Sequence, residues 1–423
     1  MKKINLKIIY FTFIVLFSGF ATAFYRSQEG IISLFIFTIL MMLIYRVKID
    51  VKLVKVIVIW LVYVALTTIR NRYFADFFAF RHIVFFLTAY TIIHLYKGKL
   101  FIMFEKWIYV LAIISLFFWI WQIIDFSSLN SFMQITDVGG LESSTKKSLH
   151  NLVYTRHFAY AETLIPRNCG FAWEPGPFSV FLSIAIFFNL LRTNYILKGN
   201  RTFIILLVAL LSTQSTTGFL AFGLLILYLI STKKKIYKYI YFILIVLLFS
   251  FLFFRLDFMY NKIIELMESG QNVDIHLQRM RSLRYSSSVG RFGGLILAFE
   301  DFKNYPLLGI GGHSILSISN ISSKFSAGII NGFASIISNY GLFGLSLYIY
   351  LIHKSSSLLP MFYEKNVKYG FTIILFISSF AFNIHNLIAI FAFVFLSVFN
   401  NEKYNYSIKK QSDITKNINY FNK

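Results

Sequence analysis

The sequence predicts an all-α fold: a polytopic integral membrane protein of about 12 transmembrane helices, with a helical loop between spans 9 and 10. Three observations predict it. Of 423 residues, 57% are hydrophobic and only 14% charged, against about half and about a quarter in an ordinary soluble domain. The apolar excess gathers in runs near the roughly 20 residues that a helix needs to cross a bilayer. The basic residues collect in alternating loops, as the positive-inside rule requires of a multi-pass protein. That rule also accounts for the net charge of +23. No basic region is interleaved with polar base-reading residues, so no nucleic-acid partner is expected. Cys169 is the single cysteine, which excludes an internal disulfide and a cysteine-based metal cluster.

In chain order, Met1 to Lys7 followed by an apolar run and Ala21-Thr22-Ala23 has the layout of a signal peptide. The many spans behind it favour an uncleaved first helix. Hydropathy places spans near 7–25, 30–45, 53–69, 76–96, 104–124, 176–194, 202–214, 217–231, 239–256, 329–353, 369–383 and 386–400. With the N-terminus in the cytoplasm, 25 of the 41 basic residues fall inside, including those of 46–52, 96–99 and 233–238. The expected location is therefore a cytoplasmic (inner) membrane, with both termini cytoplasmic.

Lysine and arginine do not distribute alike. Of 27 lysines 22 fall inside, whereas 11 of 14 arginines fall outside: Arg26, Arg70, Arg72, Arg81, Arg156, Arg167, Arg255, Arg279, Arg281, Arg284 and Arg291. The positive-inside rule treats both residues similarly. Arginine's planar fork grips phosphate bidentately and keeps its charge, so the split points to a phosphate-bearing ligand on the outer side. The bland alternative is a set of scattered, solvated arginines.

Two outer loops are long, 125–175 and 257–328. The first ends in Pro166-Arg167-Asn168-Cys169-Gly170-Phe171-Ala172-Trp173-Glu174-Pro175-Gly176-Pro177, whose prolines suit a helix start. The second holds an amphipathic stretch, 261–284, expected to lie on the membrane surface. It continues into a short helix opening with Arg291, capped by Ser287 or Ser288 and stopped before Pro306. A glycine-rich turn then reaches His313. A helix N-terminus carrying an arginine suits an anion. Pairing of Arg291 with Glu300 or Asp301 is ruled out by a separation of about three turns.

No Walker loop, dinucleotide fingerprint, zinc-protease motif or nucleophile elbow occurs. No acidic series runs through several spans, which counts against an ion-coupled transporter. No carboxylate cluster suits Mg²⁺, so neither metal nor cofactor is expected.

Arg291 followed by Pro306-Leu307-Leu308-Gly309-Ile310-Gly311 resembles a signature of the O-antigen polymerase and ligase superfamily. There an arginine opens a helix that runs into a Pro-Leu-Leu-Gly-Val-Gly-type turn. Ser212-Thr213-Gln214-Ser215-Thr216-Thr217-Gly218 resembles the family's Thr-x-Ser-Arg-Thr-Gly turn, with Thr216 where arginine is usual. Asn331, then nine residues, then Gly341-Leu342-Phe343-Gly344, resembles the ligase motif His-Asn-x9-Gly-x-x-Gly. Ile330 stands where that motif has its histidine, so the polymerase (Wzy-type) reading gains over the ligase.

The resemblance implies a glycosyltransferase of polysaccharide biosynthesis. It would join undecaprenyl-pyrophosphate-linked oligosaccharide repeats on the periplasmic face, with inversion and without a metal. A flippase and a chain-length regulator are the implied protein partners, beside membrane lipid. The alternatives are an O-antigen ligase acting on lipid A core and a lipid-linked oligosaccharide flippase. The expected catalytic residues are Glu174, His313 and Arg291. Glu174 before Pro175 resembles a Glu-Pro step of polysaccharide polymerases, and reads equally as a helix N-terminal charge. His313 reads as a proton acceptor or as a loop histidine bonded to a carbonyl. Arg70, Arg72, Arg81, Arg167, Trp173, Arg279, Arg281, Arg284 and Asn331 are the expected substrate-binding residues. His82 stands with Arg81 near the outer end of the fourth span, while His385 and Asn386 read as helix-break residues.

Overall fold

The helices of the computed structural model fall where hydropathy places the spans. The structure describes residues 5–19, 21–139, 148–158, 165–231, 277–278, 287–288, 290–313, 316–322, 325–329, 331–363 and 369–400. The first half contains α1 (Leu6–Ser18), α2 (Ala23–Arg26), α3 (Gln28–Ile44), α4 (Val51–Asn71), α5 (Asp76–Tyr96), α6 (Lys99–Ile124), α7 (Phe126–Thr136), α8 (Pro175–Arg192), α9 (Arg201–Ser212) and α10 (Thr216–Ser231). After it come α11 (Gly290–Asn304), α12 (Gly332–Ser356), α13 (Leu359–Tyr363), α14 (Gly370–Ala381), α15 (Ile388–Val394) and α16 (Leu396–Phe399). The expected span 239–256 and most of the amphipathic stretch 261–284 lie outside the described residues. The all-α, multi-pass reading stands.

Local chemistry sets the helix starts. Asp50 accepts from the Leu53 N–H at the head of α4, and Ser27 from Gly30 at the head of α3. Asn200 and Asn331 do the same for α9 and α12. Pro175 and Pro177 open α8, where a missing N–H costs nothing. Among the described residues five helices are long and apolar enough to cross a membrane: α4, α5, α6, α8 and α12. The others are shorter, and α9 with 12 residues rises only about 18 Å.

Helix α8 is the hub, packed by α6, α9, α10 and α14, and 94% of its apolar window is buried. Only 28% of the α4 window is buried, and Val54, Val58, Leu61 and Val62 point outward as a lipid-facing surface. A small antiparallel ribbon, β1 (Leu149–His150) with β2 (Thr155–Arg156), closes the first long loop. In the second loop β5 (Phe325–Gly328) pairs with β4 (Asn320–Ser322) on one side and β3 (Ser287–Ser288) on the other. This corrects the cap expected at α11. Ser287 and Ser288 are strand residues held by Ala327 and Gly328, and the helix begins only at Gly290.

Candidate functional site

The glycine turn after α11 is welded to a break in α12. Gly341 has φ 63° and ψ −158°, which interrupts the helix geometry there. The freed backbone on both sides bonds the turn. Ile310 N–H donates to Ser338 C=O at 2.8 Å and Gly311 N–H to Asn339 C=O at 2.9 Å. Leu342 and Phe343 N–H donate back to Pro306 and Leu307 C=O at 2.8 and 3.1 Å. The approach is so close that a Cβ on Gly309 would lie 2.4 Å from the Asn339 carbonyl carbon. Two sequence motifs 30 residues apart are thus a single backbone structure. Asp301, fully buried one turn before the end of α11, accepts from Ser317 Oγ, Ser338 Oγ and the Ile318 N–H at 2.5–2.8 Å. It ties helix, turn and α12 together.

The α4–α5 hairpin grips the same turn from the other side. The Tyr63 hydroxyl lies 2.9 Å from Leu308 O and 2.8 Å from Asn339 O. Arg70 donates to Gly309 C=O and lies over the Tyr305 ring, 4.8 Å from its centroid. Asn71 donates to Ile310 C=O at 3.1 Å. Between hairpin and turn opens a cavity of about 530 Å³ lined by Asn71, Tyr73, Phe78, Arg81, Gly312 and His313. His313 packs edge-on against Tyr73, and neither ring nitrogen has a hydrogen-bond partner among the described residues. Burial, and then the nearby Arg70 cation, hold its pKa below the ordinary 6.5, so the ring is a neutral proton acceptor at pH 7. Arg81 donates through Nη2 to Asn386 Oδ1 at 3.0 Å, while its buried Nε has no such partner among the described residues.

Behind Arg81 the surface turns apolar. His82 Nδ1 lies 2.8 Å from Phe78 C=O, which can only accept, so Nδ1 carries a proton. Nε2 lies 2.6 Å from the Tyr340 hydroxyl. Trp60 stacks on this ring at 4.4 Å. His82, Tyr340 and His385 cap a groove of about 400 Å³ that continues between α4 and α12 past Phe86, Phe343 and Leu347 to Val398.

The third wall is the break between α14 and α15. Arg291 Nε donates to Ala381 C=O at 3.2 Å, with its guanidinium 5.0 Å from the Phe382 ring centroid. Asn383 donates to Ile329 C=O at 2.9 Å. Gly332 abuts Phe382 so closely that a Cβ would lie 2.4 Å from the Phe382 carbonyl oxygen. Asn331 caps α12 through Oδ1, and its buried Nδ2 has no partner among the described residues. The Phe382 ring also lies against Gly176, two residues beyond Glu174. Glu174 precedes α8, and the Arg26 guanidinium sits 5.4 Å over the adjoining Trp173 ring with Glu174 attracting it. Residues 381–386 thus join Arg81, Arg291, Asn331 and the head of α8.

Arg167 stands at a separate joint. Its Nε donates to Thr213 C=O at 3.1 Å, and Asn168 binds Ser212 through backbone and side chain. The Ser212–Gly218 turn is held there and against Ser179. Burial pushes the adjacent Cys169 thiol up to about 12, which removes it as a nucleophile. Arg72 is exposed at the left-handed C-cap of α4. Arg279, Arg281, Arg284 and Ile330 lie outside the described residues.

The family model described as O-antigen ligase matches residues 202–349, the segment holding α11, the glycine turn and the Gly341 break. Over these residues the chain is similar to the O-antigen polymerase and ligase superfamily. No curated protein and no solved structure matches it. Members of the superfamily are glycosyltransferase-like enzymes acting on lipid-linked polysaccharide at a membrane. The matched segment excludes Arg81, Glu174 and the 382–387 break, which the fold alone brings to it. His385 and Asn386, read from the sequence as break residues, line the apolar groove and bond Arg81, respectively. Asp301 is separated from Arg291 by helical spacing. Its partners come from later segments, and no local pattern could have marked them.

Proposed function

We propose that the chain polymerises lipid-linked oligosaccharide repeats, with the Arg81–His313 cavity as the donor head-group site. The observation that carries this reading is one continuous path. A cation with an uncommitted buried N–H and a neutral histidine share a cavity, and an apolar groove between two spans starts at the neighbouring His82. That layout suits a sugar pyrophosphate on a long isoprenoid tail, with the head in the cavity and the tail against α4 and α12.

In the reaction, a hydroxyl oxygen of the acceptor repeat attacks the anomeric carbon of the donor chain. The new C–O bond forms as the bond from that carbon to the pyrophosphate oxygen breaks, inverting the centre. The pyrophosphate leaves with the electron pair, and Arg81 and Arg291 stabilise the charge it gains. The hydroxyl proton passes to His313, which the low pKa keeps unprotonated until the acceptor arrives. Trp173 and Glu174, across Phe382 from Arg291, form the acceptor side, the indole stacking on a sugar face. Arg70 acts by holding the glycine turn.

The test is a deletion strain complemented with Arg81→Ala, Arg291→Ala and His313→Gln. Surface glycan confined to single attached repeats supports polymerisation. Loss of all attached glycan, with polymer retained on the lipid carrier, would instead assign ligation. Normal chain length in all three variants would remove the proposed site.

A further inference from the structure

The other end of the α4–α5 hairpin carries a second cavity, of about 620 Å³, which the glycosyl-transfer reading does not use. A 21-residue helix separates the two, a rise of about 31 Å. Five cations line this second cavity: Lys7, Arg46, Lys48, Lys97 and Lys99. They come from α1, the α3–α4 connection and the stretch from the end of α5 to the first residue of α6, so the fold converges them from three segments. One carboxylate is present, and Asp50 has committed its Oδ1 to capping α4. Among the described residues no carboxylate lies within ion-pair distance of Lys7, Arg46, Lys48 or Lys99. The positive-inside rule explains why basic residues lie at one end of a bundle, but not why they ring a single cavity.

The rest of the lining has a second character. Tyr90 donates to Lys48 C=O at 2.6 Å, and Tyr96 donates to Lys7 C=O, which pins both basic segments. Lys7 lies 4.6 Å over the Tyr45 ring. Below these the wall is Val47, Leu95, Phe101, Ile102 and Phe362. Cations at the rim, aromatic hydroxyls beneath them and an apolar floor suit an amphiphilic anion at a membrane surface.

We infer that this cavity binds a phosphate group, presented by the head group of an anionic phospholipid or by a soluble phosphate compound. Lys48 and Lys99, exposed and on opposite segments, contact the phosphate from two sides. Lys97 and Arg46 sit at left-handed turns, with φ 49° and 50°, so the backbone holds their stems at the rim. The site is independent of glycosyl transfer and of the Arg81 cavity.

The test uses the purified full-length chain in phosphatidylcholine nanodiscs. Retention of added phosphatidylglycerol is read by native mass spectrometry, and thermal stabilisation by inorganic phosphate is read in parallel. The variants are Lys48→Ala/Lys99→Ala, with Lys48→Gln/Lys99→Gln as a milder pair, against a control Lys55→Ala/Lys106→Ala on exposed lysines outside the cavity. At low salt each removed cation should lower affinity about fivefold. Loss of phosphatidylglycerol retention in the cavity variants alone supports the lipid as source. Loss of the inorganic-phosphate response alone supports a soluble source. Equal binding by cavity and control variants, or binding of neither probe by the unaltered chain, would overturn the site.

Discussion

The two ends of the α4–α5 hairpin use basic residues in opposite ways. At the glycine-turn end, arginines are tied into the fold: Arg70 to Gly309 C=O, Arg81 to Asn386, Arg291 to Ala381 C=O and Arg167 to Thr213 C=O. At the other end, Lys48 and Lys99 project from loops and helix starts, while tyrosine hydroxyls hold the backbone beneath them. The difference follows from the backbone. Helix breaks at Gly341 and at 382–387 leave carbonyls inside protein, where each needs a donor. Guanidinium offers five N–H groups, so it can satisfy a carbonyl and keep N–H for a ligand. An ammonium on a flexible stem serves better as an exposed point charge. Arg70, Arg167 and Arg291 thus serve the fold by bonding backbone carbonyls.

The largest expected effect falls on Arg81. Arg81→Ala should lower polymer formation about 100-fold or more, as loss of one pre-positioned charge stabiliser does. Arg81→Lys should recover little of it, because one ammonium cannot hold Asn386 and face the cavity together. A purified-enzyme assay with one defined lipid-linked repeat reads both, and full recovery by lysine would break the contrast between the two ends.

Next is the backbone weld. Gly309→Ala places a Cβ within 2.4 Å of α12 backbone at a φ of 63°, and should cost about 3 kcal/mol or more. Thermal unfolding in detergent measures it. The matching change at the lysine end, Lys48→Ala, should alter stability by no more than about 0.5 kcal/mol and leave polymer length unchanged.

The pH profile sharpens the comparison further. The His313 pKa is lowered in the folded protein, so its neutral form persists below pH 6.5. Activity should hold as pH falls through 6.5 and decline only below it, and His313→Gln should remove that limb. The linked stability has the same sign: it is fully present above the unfolded value near 6.5 and is lost as pH falls through the lower folded value. A limb centred above 6.5 would assign the proton to another group. The smallest effect is expected at Arg72, exposed at the end of α4, where Arg72→Ala should change polymer yield less than twofold.

Much of the fold was legible because hydropathy and caps are local. Pro175 with Pro177 announces a helix start, and the structure has α8 there. The misplaced cap shows the limit. Ser287 and Ser288 are good capping residues by type, yet β5 claims them, and that strand begins 37 residues later. The candidate site was legible in part. Arg81 was visible near the outer end of a span, and Arg291 and His313 as charged or titratable residues of the second long loop. Their division of labour was not, since Arg70 and Arg291 bond carbonyls from segments distant in the chain.

By itself the sequence determined the helical class, the apolar helices and the three motifs that resemble the superfamily's. Each depends on residue type and short spacing, which act before the chain folds. The tertiary structure alone decided that the Pro306–Gly312 turn and the Gly341 break are one object. It also decided that the 382–387 break joins Arg81 to Arg291, and that Lys48 and Lys99 share a cavity. These depend on which broken backbone groups meet once the helices pack, because a buried N–H or C=O must find its partner wherever packing brings one.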